Sequence, residues 1–205
     1  SEHGHDLLLD WLQHNLSKLA PTDTKRVVIE IGTTREDVPG QGSTAKIADF
    51  CATHGLDFIT VDMDPHNSHM AQVMFARNDM PFTAVTQKGE DFLRAYTGRM
   101  DFVFLDAYDF DHGKHSELRQ SRYERFLGSR IDEQACHQMH LDCAESVLKK
   151  LATDGIVCID DTWRDEHHRW TAKGTLAMPY LLDNAYTLIE ARNRAALLKP
   201  PAVRA

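Results

Sequence analysis

Carboxylates close four of the short apolar runs in this sequence, and they are the side chains best placed to do chemistry. The acids concerned are Glu30, Asp62, Asp106 and the pair Asp160 and Asp161. Packing alone does not require an acid at the end of each run. Carboxylates that gather at one place repel one another unless a cation or a donor-rich ligand lies among them. The pattern therefore predicts a ligand site built from the ends of several elements.

The loop after the first run departs from the usual dinucleotide-binding pattern. Gly32 stands at the end of the run, but the next glycines, Gly40 and Gly42, are displaced by the stretch 33–39. A pyrophosphate needs close-set glycines in the order G-x-G-x-x-G, and that spacing is absent here. A nicotinamide-dependent dehydrogenase is therefore disfavoured.

Strand-like and helical segments alternate along the chain, and they must position the acids. Runs rich in β-branched and aromatic residues predict strands over 26–32, 57–63, 82–87, 101–107 and 155–161. Helical patterns lie between them, at 43–55, 65–78, 89–96 and about 131–151. This alternation predicts an α/β fold, a doubly wound Rossmann-like sheet of mostly parallel strands. Ligands of such sheets bind beyond the carboxyl ends of the strands, which is where the acids lie.

The two ends of the chain complete what we read as a single domain, 1–205. The last two strand-like runs lie at 186–192 and 195–199. Only Asn193 and Arg194 separate them, and this spacing predicts an antiparallel hairpin at the edge of the sheet. An amphipathic helix is predicted at about 5–20, before the first strand.

Composition narrows the classes of partner. The chain has 205 residues, 42% apolar and 26% charged, which suits one globular domain with a sizeable core. Its net charge of −8 disfavours nucleic acid and anionic membrane surfaces, because both need clustered Lys and Arg. We therefore expect a small-molecule substrate, with no nucleic acid and no membrane as partners. A homo-oligomer is left open, and so is a place in a longer polypeptide, since the chain starts at Ser1 without Met.

The cysteines indicate a reducing compartment. Cys51, Cys136, Cys143 and Cys158 form no C-x-x-C pair, so we expect buried thiols in a cytoplasmic protein. Cys136, His140 and Cys143 have a helical spacing that could bind zinc on one face. The same stripe is expected to pack on the sheet, so a core histidine is the favoured interpretation.

These strand ends resemble the motifs of the class I S-adenosylmethionine-dependent methyltransferases, and the resemblance covers nearly the whole chain. The run that ends at Gly32 resembles the family's first motif, where the loop passes under the methionine part of the cofactor. Asp62 matches the acid that accepts hydrogen bonds from both ribose hydroxyls, and Gly89 with Glu90 resembles the segment beside the adenine. The cofactor-binding residues that the resemblance implies are Glu30, Gly32, Thr33, Gly42, Ser43, Asp62, Met63, Gly89, Glu90 and Asp106.

The resemblance also gives the displaced glycines a role. Gly42 and Ser43 would hold the methionine carboxylate through backbone N–H groups at the start of a helix, where anions bind readily. The insertion 33–39 departs from the family pattern, and within it Arg35 could reach the same carboxylate.

The acids after the fourth and fifth strands narrow the resemblance to metal-dependent small-molecule O-methyltransferases. These include the catechol O-methyltransferase-like enzymes and the antibiotic sugar O-methyltransferases. The resemblance implies Asp106, Asp160 and Asp161 as ligands of Mg²⁺ or another divalent cation. Asp161 stands where the catechol enzymes carry an amide, which disfavours catechol as the substrate. The alternative is that Asp160 and Asp161 cap a loop.

A general base is expected in the charged segment after the fourth strand. His112 is the first choice, with His115 and Lys114 after it, because an imidazole suits removal of a proton from a metal-acidified hydroxyl. A solvated loop is the alternative for this segment. The sequence thus predicts a methyltransferase that acts on a small-molecule hydroxyl with metal assistance. A metal-independent N-methyltransferase and a non-catalytic cofactor-binding domain remain the alternatives.

Overall fold

The computed structural model describes residues 3–34, 42–107, 121, 124–125 and 132–203. The helices named below are α1 Gly4–Asn15, α2 Ser43–His54, α3 Pro65–Arg77, α4 Gly89–Ala95, α5 Glu133–Lys150 and α6 Gly174–Asp183. The strands are β1 Val27–Ile31, β2 Asp57–Asp62, β3 Thr83–Thr86, β4 Met100–Leu105, β5 Leu151–Ile159, β6 Thr187–Arg192 and β7 Ala195–Lys199. Each predicted strand and helix therefore has a counterpart within a few residues of its expected bounds.

The strands form one mixed sheet in the order β3-β2-β1-β4-β5-β7-β6. Strands β1 to β5 pair in parallel, whereas β7 runs antiparallel to both β5 and β6. Asn193 and Arg194 both have positive φ, at 55° and 58°, as the mirror-image turns of two-residue hairpins require. The predicted fold class and hairpin are confirmed. The strand order reverses between β1 and β4, which opens a crevice at their carboxyl ends.

Helices cover both faces of the sheet, so the central strands are buried on both sides. Apolar residues of α4, α5 and α6 pack with one face, and those of α1, α2 and α3 pack with the other. All residues of β1 and β4 are buried, which explains why their sequences are largely apolar. Glu30 in β1 and Asp101 in β4 are charged residues that are nevertheless fully buried.

The cysteines and the end of α2 are as the sequence predicts, whereas the residue that caps the start of α2 differs. All four cysteines are free and buried, as predicted. Gly55 ends α2 in the left-handed region, with φ of 69°. The sequence predicts Ser43 or Thr44 as the cap of α2, but Gly42 takes that position. In the part of the chain described here, none of the helices has both the length and the apolarity needed to cross a membrane.

Candidate active site

The carboxyl ends of four strands meet at one edge of the sheet, and the ladder hydrogen bonds continue just past them. The Gly32 N–H donates to the Val61 carbonyl at 2.8 Å, and the Asp106 N–H donates to the Ile31 carbonyl at 2.8 Å. These bonds fix the backbone from which the acidic side chains project. The expected gathering of acids at this edge therefore follows from strand pairing.

Glu30 is enclosed by hydroxyl groups. Ser43 Oγ donates to Glu30 Oε2 at 2.6 Å, and the hydroxyls of Thr44 and Thr60 donate to Oε1 at 2.6 and 2.7 Å. Burial raises the pKa of Glu30 to about 7, while the three hydroxyl donors oppose the rise. The carboxylate thus ties the start of α2 to β1 and β2.

This enclosure disfavours a direct cofactor contact by Glu30, which stays a prediction. The sequence predicts a cofactor contact, but the side chain is fully buried and both oxygens already accept hydrogen bonds inside the protein. The hydroxyl of Ser43 is likewise directed to Glu30, so any role of Ser43 toward a ligand rests on its backbone N–H. Glu30 positions the helix start that a ligand would use, and it does not itself face the crevice.

Gly32 and Gly89 are glycines because the fold leaves no room for a side chain. Gly32 has φ of 106°, and a Cβ there would lie 2.6 Å from the Asp106 carbonyl carbon and 2.8 Å from the Ala107 nitrogen. A Cβ at Gly89 would overlap the side chain of Ile31. Both glycines therefore bring backbones close together at the candidate site, whatever ligand binds there.

Asp62, at the end of β2, accepts three hydrogen bonds. The backbone N–H groups of Asp64 and Thr33 donate at 2.8 and 3.0 Å, and the Asn67 amide donates at 3.2 Å. Burial raises the pKa of Asp62 to about 6, and these three donors oppose the rise. Asp62 is therefore mostly ionised at neutral pH and can accept further donors.

Asn67 supplies a second acceptor next to Asp62. Among the residues that the structure describes, Asn67 Oδ1 is one of the buried polar atoms without a hydrogen-bond partner. Leaving such an atom unpaired costs about 1–3 kcal/mol, so a ligand with O–H or N–H groups would stabilise this position. A ribose-bearing cofactor fits that requirement. Sequence reasoning missed Asn67, although an amide five residues after a strand-end acid was a usable signal.

The other predicted cofactor residues lie around the same crevice. Thr33 is buried, and its hydroxyl lies 2.7 Å from that of Thr60. Met63 is half-buried just after β2, and Gly42 is buried as the residue that caps α2. Glu90 is half-buried in the first turn of α4, where burial raises its pKa. The structure brings these residues to the carboxyl edge, and their contacts with a cofactor stay a prediction.

Three carboxylates and one lysine meet beyond β4 and β5. Ligand oxygens of Asp106, Asp160 and Asp161 lie within 4.8 Å of one another. Lys173 Nζ donates to Asp106 Oδ1 at 2.6 Å and to Asp161 Oδ2 at 3.0 Å. The side chain of Lys173 is 3% exposed, against 37% for Asp161. We call these four residues the acid–lysine cluster.

Asp160 lies against the start of α1. A Cβ added at Gly4 would lie 2.7 Å from Asp160 Cγ, so the helix backbone packs directly on this carboxyl group. Burial, together with the charges of Asp106 and Asp161, raises the pKa of Asp160 to about 9. Burial also raises the pKa of Asp106, whereas Lys173 lowers it. Burial and the neighbouring negative charges therefore both favour the protonated form of Asp160.

The acid–lysine cluster does not fit the predicted metal. Mg²⁺ lies about 2.0–2.1 Å from its oxygen ligands, so an ion held by Asp106 and Asp161 would lie close to the Lys173 ammonium, which already donates to one oxygen of each. Two cations at such a short separation repel strongly. The structure therefore does not support a magnesium ion at Asp106, Asp160 and Asp161 while Lys173 keeps its place.

Lys173 reaches the cluster through a folded loop that the sequence did not reveal. The Lys173 N–H donates to the Asp161 carbonyl at 3.1 Å, and Thr162 Oγ1 donates to the Thr171 carbonyl at 2.9 Å. The loop therefore turns back to the residue from which it starts. Trp170 in the same loop packs against the core and so anchors the loop.

Several predicted residues lie outside the described residues. These are Arg35 and Gly40 in the first loop and the base candidates His112, Lys114 and His115. His140 is described, and it is fully buried in α5 with its Nδ1 2.8 Å from the Cys136 carbonyl. The favoured interpretation of His140 as a core residue is confirmed.

Comparison with solved structures identifies the architecture. SMU.1697c of Streptococcus mutans, assigned to the methyltransferases and solved with S-adenosylhomocysteine, is 9% identical over 97% of this chain and 98% of its own, with a TM-score of 0.57. The methyltransferase PaMTH1 of Podospora anserina, also bound to S-adenosylhomocysteine, is 11% identical over 98% and 89%, with a TM-score of 0.53. The chain has the class I methyltransferase fold.

The same fold also occurs in an rRNA methyltransferase. The 16S rRNA N2 G1207 methyltransferase RsmC of T. thermophilus is 14% identical over 98% of this chain and 44% of its own, with a TM-score of 0.56. No protein-family model matches the sequence, and no curated protein matches it either. At these identities the likeness establishes the fold alone.

Proposed function

We propose that this protein transfers a methyl group from S-adenosylmethionine to a small-molecule acceptor. The observation that carries the proposal is the pair of acceptors at the end of β2, the carboxyl group of Asp62 and the unpartnered oxygen of Asn67. They lie at the carboxyl edge of a sheet with the methyltransferase strand order, where a ribose would meet them. When bound, the cofactor supplies an electrophilic methyl group.

The residues that would hold the cofactor act in three places. Asp62 and Asn67 would accept the ribose hydroxyls. The N–H groups at Gly42 and Ser43 would face the methionine carboxylate, because α2 begins at this edge. Glu90, at the start of α4, would lie beside the adenine. Glu30 would hold the start of α2 in position for the methionine carboxylate, because the hydroxyls of Ser43 and Thr44 donate to it.

Two acceptor classes are compatible with the acid–lysine cluster. The sequence favours a hydroxyl, which would need a base from this chain, with His112, His115 or Lys114 as the candidates. An amine is the second candidate, and the position of Lys173 favours it, since a neutral amine needs no metal to become nucleophilic. The net charge of −8 supports a small acceptor over a nucleic acid.

Replacing Asp62 by alanine should weaken binding of S-adenosylhomocysteine by about 30-fold, because charge-assisted hydrogen bonds to the ribose would be lost. Titration calorimetry at neutral pH measures the change. In the unsubstituted protein, affinity should also fall as the pH drops below about 6, where Asp62 gains a proton.

Asp57→Ala is the matched control, since Asp57 begins the same strand at the opposite edge of the sheet. Its affinity for S-adenosylhomocysteine should equal that of the unsubstituted chain. Equal affinity for Asp62→Ala, in a variant with an unchanged circular dichroism spectrum, would remove Asp62 from the cofactor site.

The function itself is tested with a panel of phenols, sugars and amines, each incubated with S-adenosylmethionine in the presence and absence of a chelator. Release of S-adenosylhomocysteine with one class of acceptor identifies the substrate class. Cofactor binding without turnover on any acceptor would favour the non-catalytic alternative. If neither the cofactor nor its product binds, the proposed function is wrong.

A further inference from the structure

The acid–lysine cluster has its own positive charge. Three carboxyl groups converge from the ends of β4 and β5, and the only ammonium that the described hydrogen bonds place among them belongs to Lys173. Its side chain is almost fully buried, so this charge is withdrawn from water. A buried lysine is costly unless carboxylates surround it, and removing the partner of a buried charge is costlier still.

The backbone around Lys173 holds this charge in place. The Lys173 N–H donates to the Asp161 carbonyl, so main chain and side chain both bind the same aspartate. Gly174 follows directly, and a Cβ there would lie 2.7 Å from Met178 Cγ, which shows how tightly the start of α6 packs. The ammonium is therefore fixed by the fold and does not depend on a flexible surface side chain.

We infer that Lys173 replaces a divalent metal in this site and holds Asp106 and Asp161 in position toward the acceptor. The inference deepens the proposed function and rests on it only for the identity of the acceptor. Lys173 is a positioning residue, because it acts through the two aspartates. The cluster is consequently independent of metal ions, in contrast to the metal-assisted chemistry that the sequence predicts.

The geometry also predicts what happens when the ammonium is removed. Without it, oxygens of three acids would lie within 4.8 Å of one another, and the ion pairs of the described residues would place no other positive charge among them. Three carboxylates are a ligand set that suits a hard divalent cation. A variant without the lysine charge should therefore acquire an affinity for metal that the natural chain lacks.

The decisive variant is Lys173→Met, which keeps an unbranched side chain and removes the charge. Mn²⁺ is the probe, and its free concentration is followed by electron paramagnetic resonance. The unsubstituted protein should bind no Mn²⁺ at this site, whereas Lys173→Met should bind one equivalent. Mn²⁺ should raise the melting temperature of the variant by about 5 °C and leave that of the unsubstituted protein unchanged.

Two further variants separate the site from a general effect on folding. Lys173→Arg keeps a positive charge and should bind no Mn²⁺. Lys173→Met combined with Asp161→Ala should lose the Mn²⁺ that Lys173→Met gains. These Mn²⁺ readouts need no turnover, so they stay informative even if methyl transfer is not the function. The proposed function is tested separately, by cofactor binding.

Binding of Mn²⁺ to the unsubstituted protein, abolished by Asp161→Ala, would overturn the inference even if Lys173→Met failed to fold. A folded Lys173→Met that binds no Mn²⁺ would overturn it as well. The expected pattern is binding by Lys173→Met alone, among the unsubstituted protein, Lys173→Arg and the double variant.

Discussion

Gly32→Ala should destabilise the protein by roughly 4 kcal/mol, the largest single-residue effect that we expect at this site. Two costs add. Alanine would be held at φ of 106°, which L residues rarely adopt, and its Cβ would lie 2.6 Å from the Asp106 carbonyl carbon. Backbone, and not a flexible side chain, has to move. Urea unfolding followed by circular dichroism measures the loss.

Gly55→Ala is the matched control. Gly55 also has positive φ, at 69°, but a Cβ there would meet nothing within 4 Å. Its cost should be only about 1 kcal/mol, the ordinary penalty for alanine in the left-handed region. Equal costs for the two variants would show that the close approach of β1 to the end of β4 is not what requires Gly32.

Glu30→Gln should make stability less dependent on pH. The pKa of Glu30 is raised to about 7 in the folded protein by burial. Its contribution to stability is therefore full at acidic pH and is lost as the pH rises through about 7. Between about pH 5 and pH 8 this loss amounts to roughly 2–3 kcal/mol, and glutamine, which does not ionise, should avoid it. Urea midpoints at both pH values measure the difference.

Thr60→Val tests the same carboxylate by removing a hydrogen-bond donor and leaving the ionisable group in place. It removes one of the three hydroxyl donors that favour the ionised form, so it should cost more at pH 8 than at pH 5. Asp62 and Asp160 also have raised pKa values and lower the stability of every variant as the pH rises. Comparison between variants at each pH therefore isolates Glu30. A Glu30→Gln variant with the unsubstituted protein's pH dependence would contradict the assignment.

Local patterns were sufficient to predict where the candidate site lies. Asp62 and Asp106 could be placed at one edge from the sequence, because a parallel sheet brings the carboxyl ends of its strands together. The hairpin at Asn193 and Arg194 was predictable for a similar reason, since a two-residue spacing between strand-like runs leaves few alternatives. The base expected among residues 109–115 lies outside the described residues and stays a prediction.

The hydrogen-bond partners of the individual side chains were not predictable from the sequence in the same way. Glu30 looks from the sequence like a ligand contact, but three hydroxyls from two other elements occupy its oxygens. Ser43 and Thr44 look like helix caps, and their hydroxyls turn to Glu30 because a buried carboxylate needs donors more than a helix end does. Whether these hydroxyls cap the helix or donate to the carboxylate depends on how deeply the carboxylate is buried, and burial is a property of the folded chain.

The sequence by itself determined the α/β sheet, its terminal hairpin and the gathering of acids at its carboxyl edge, because all three follow from periodicity and strand pairing. Only the tertiary structure decided how those acids are neutralised. Lys173 lies 12 residues beyond Asp161 in a loop, and nothing local marks it as buried. The path of that loop brings its ammonium to Asp106, and charge neutralisation in a region withdrawn from water depends on that long-range contact.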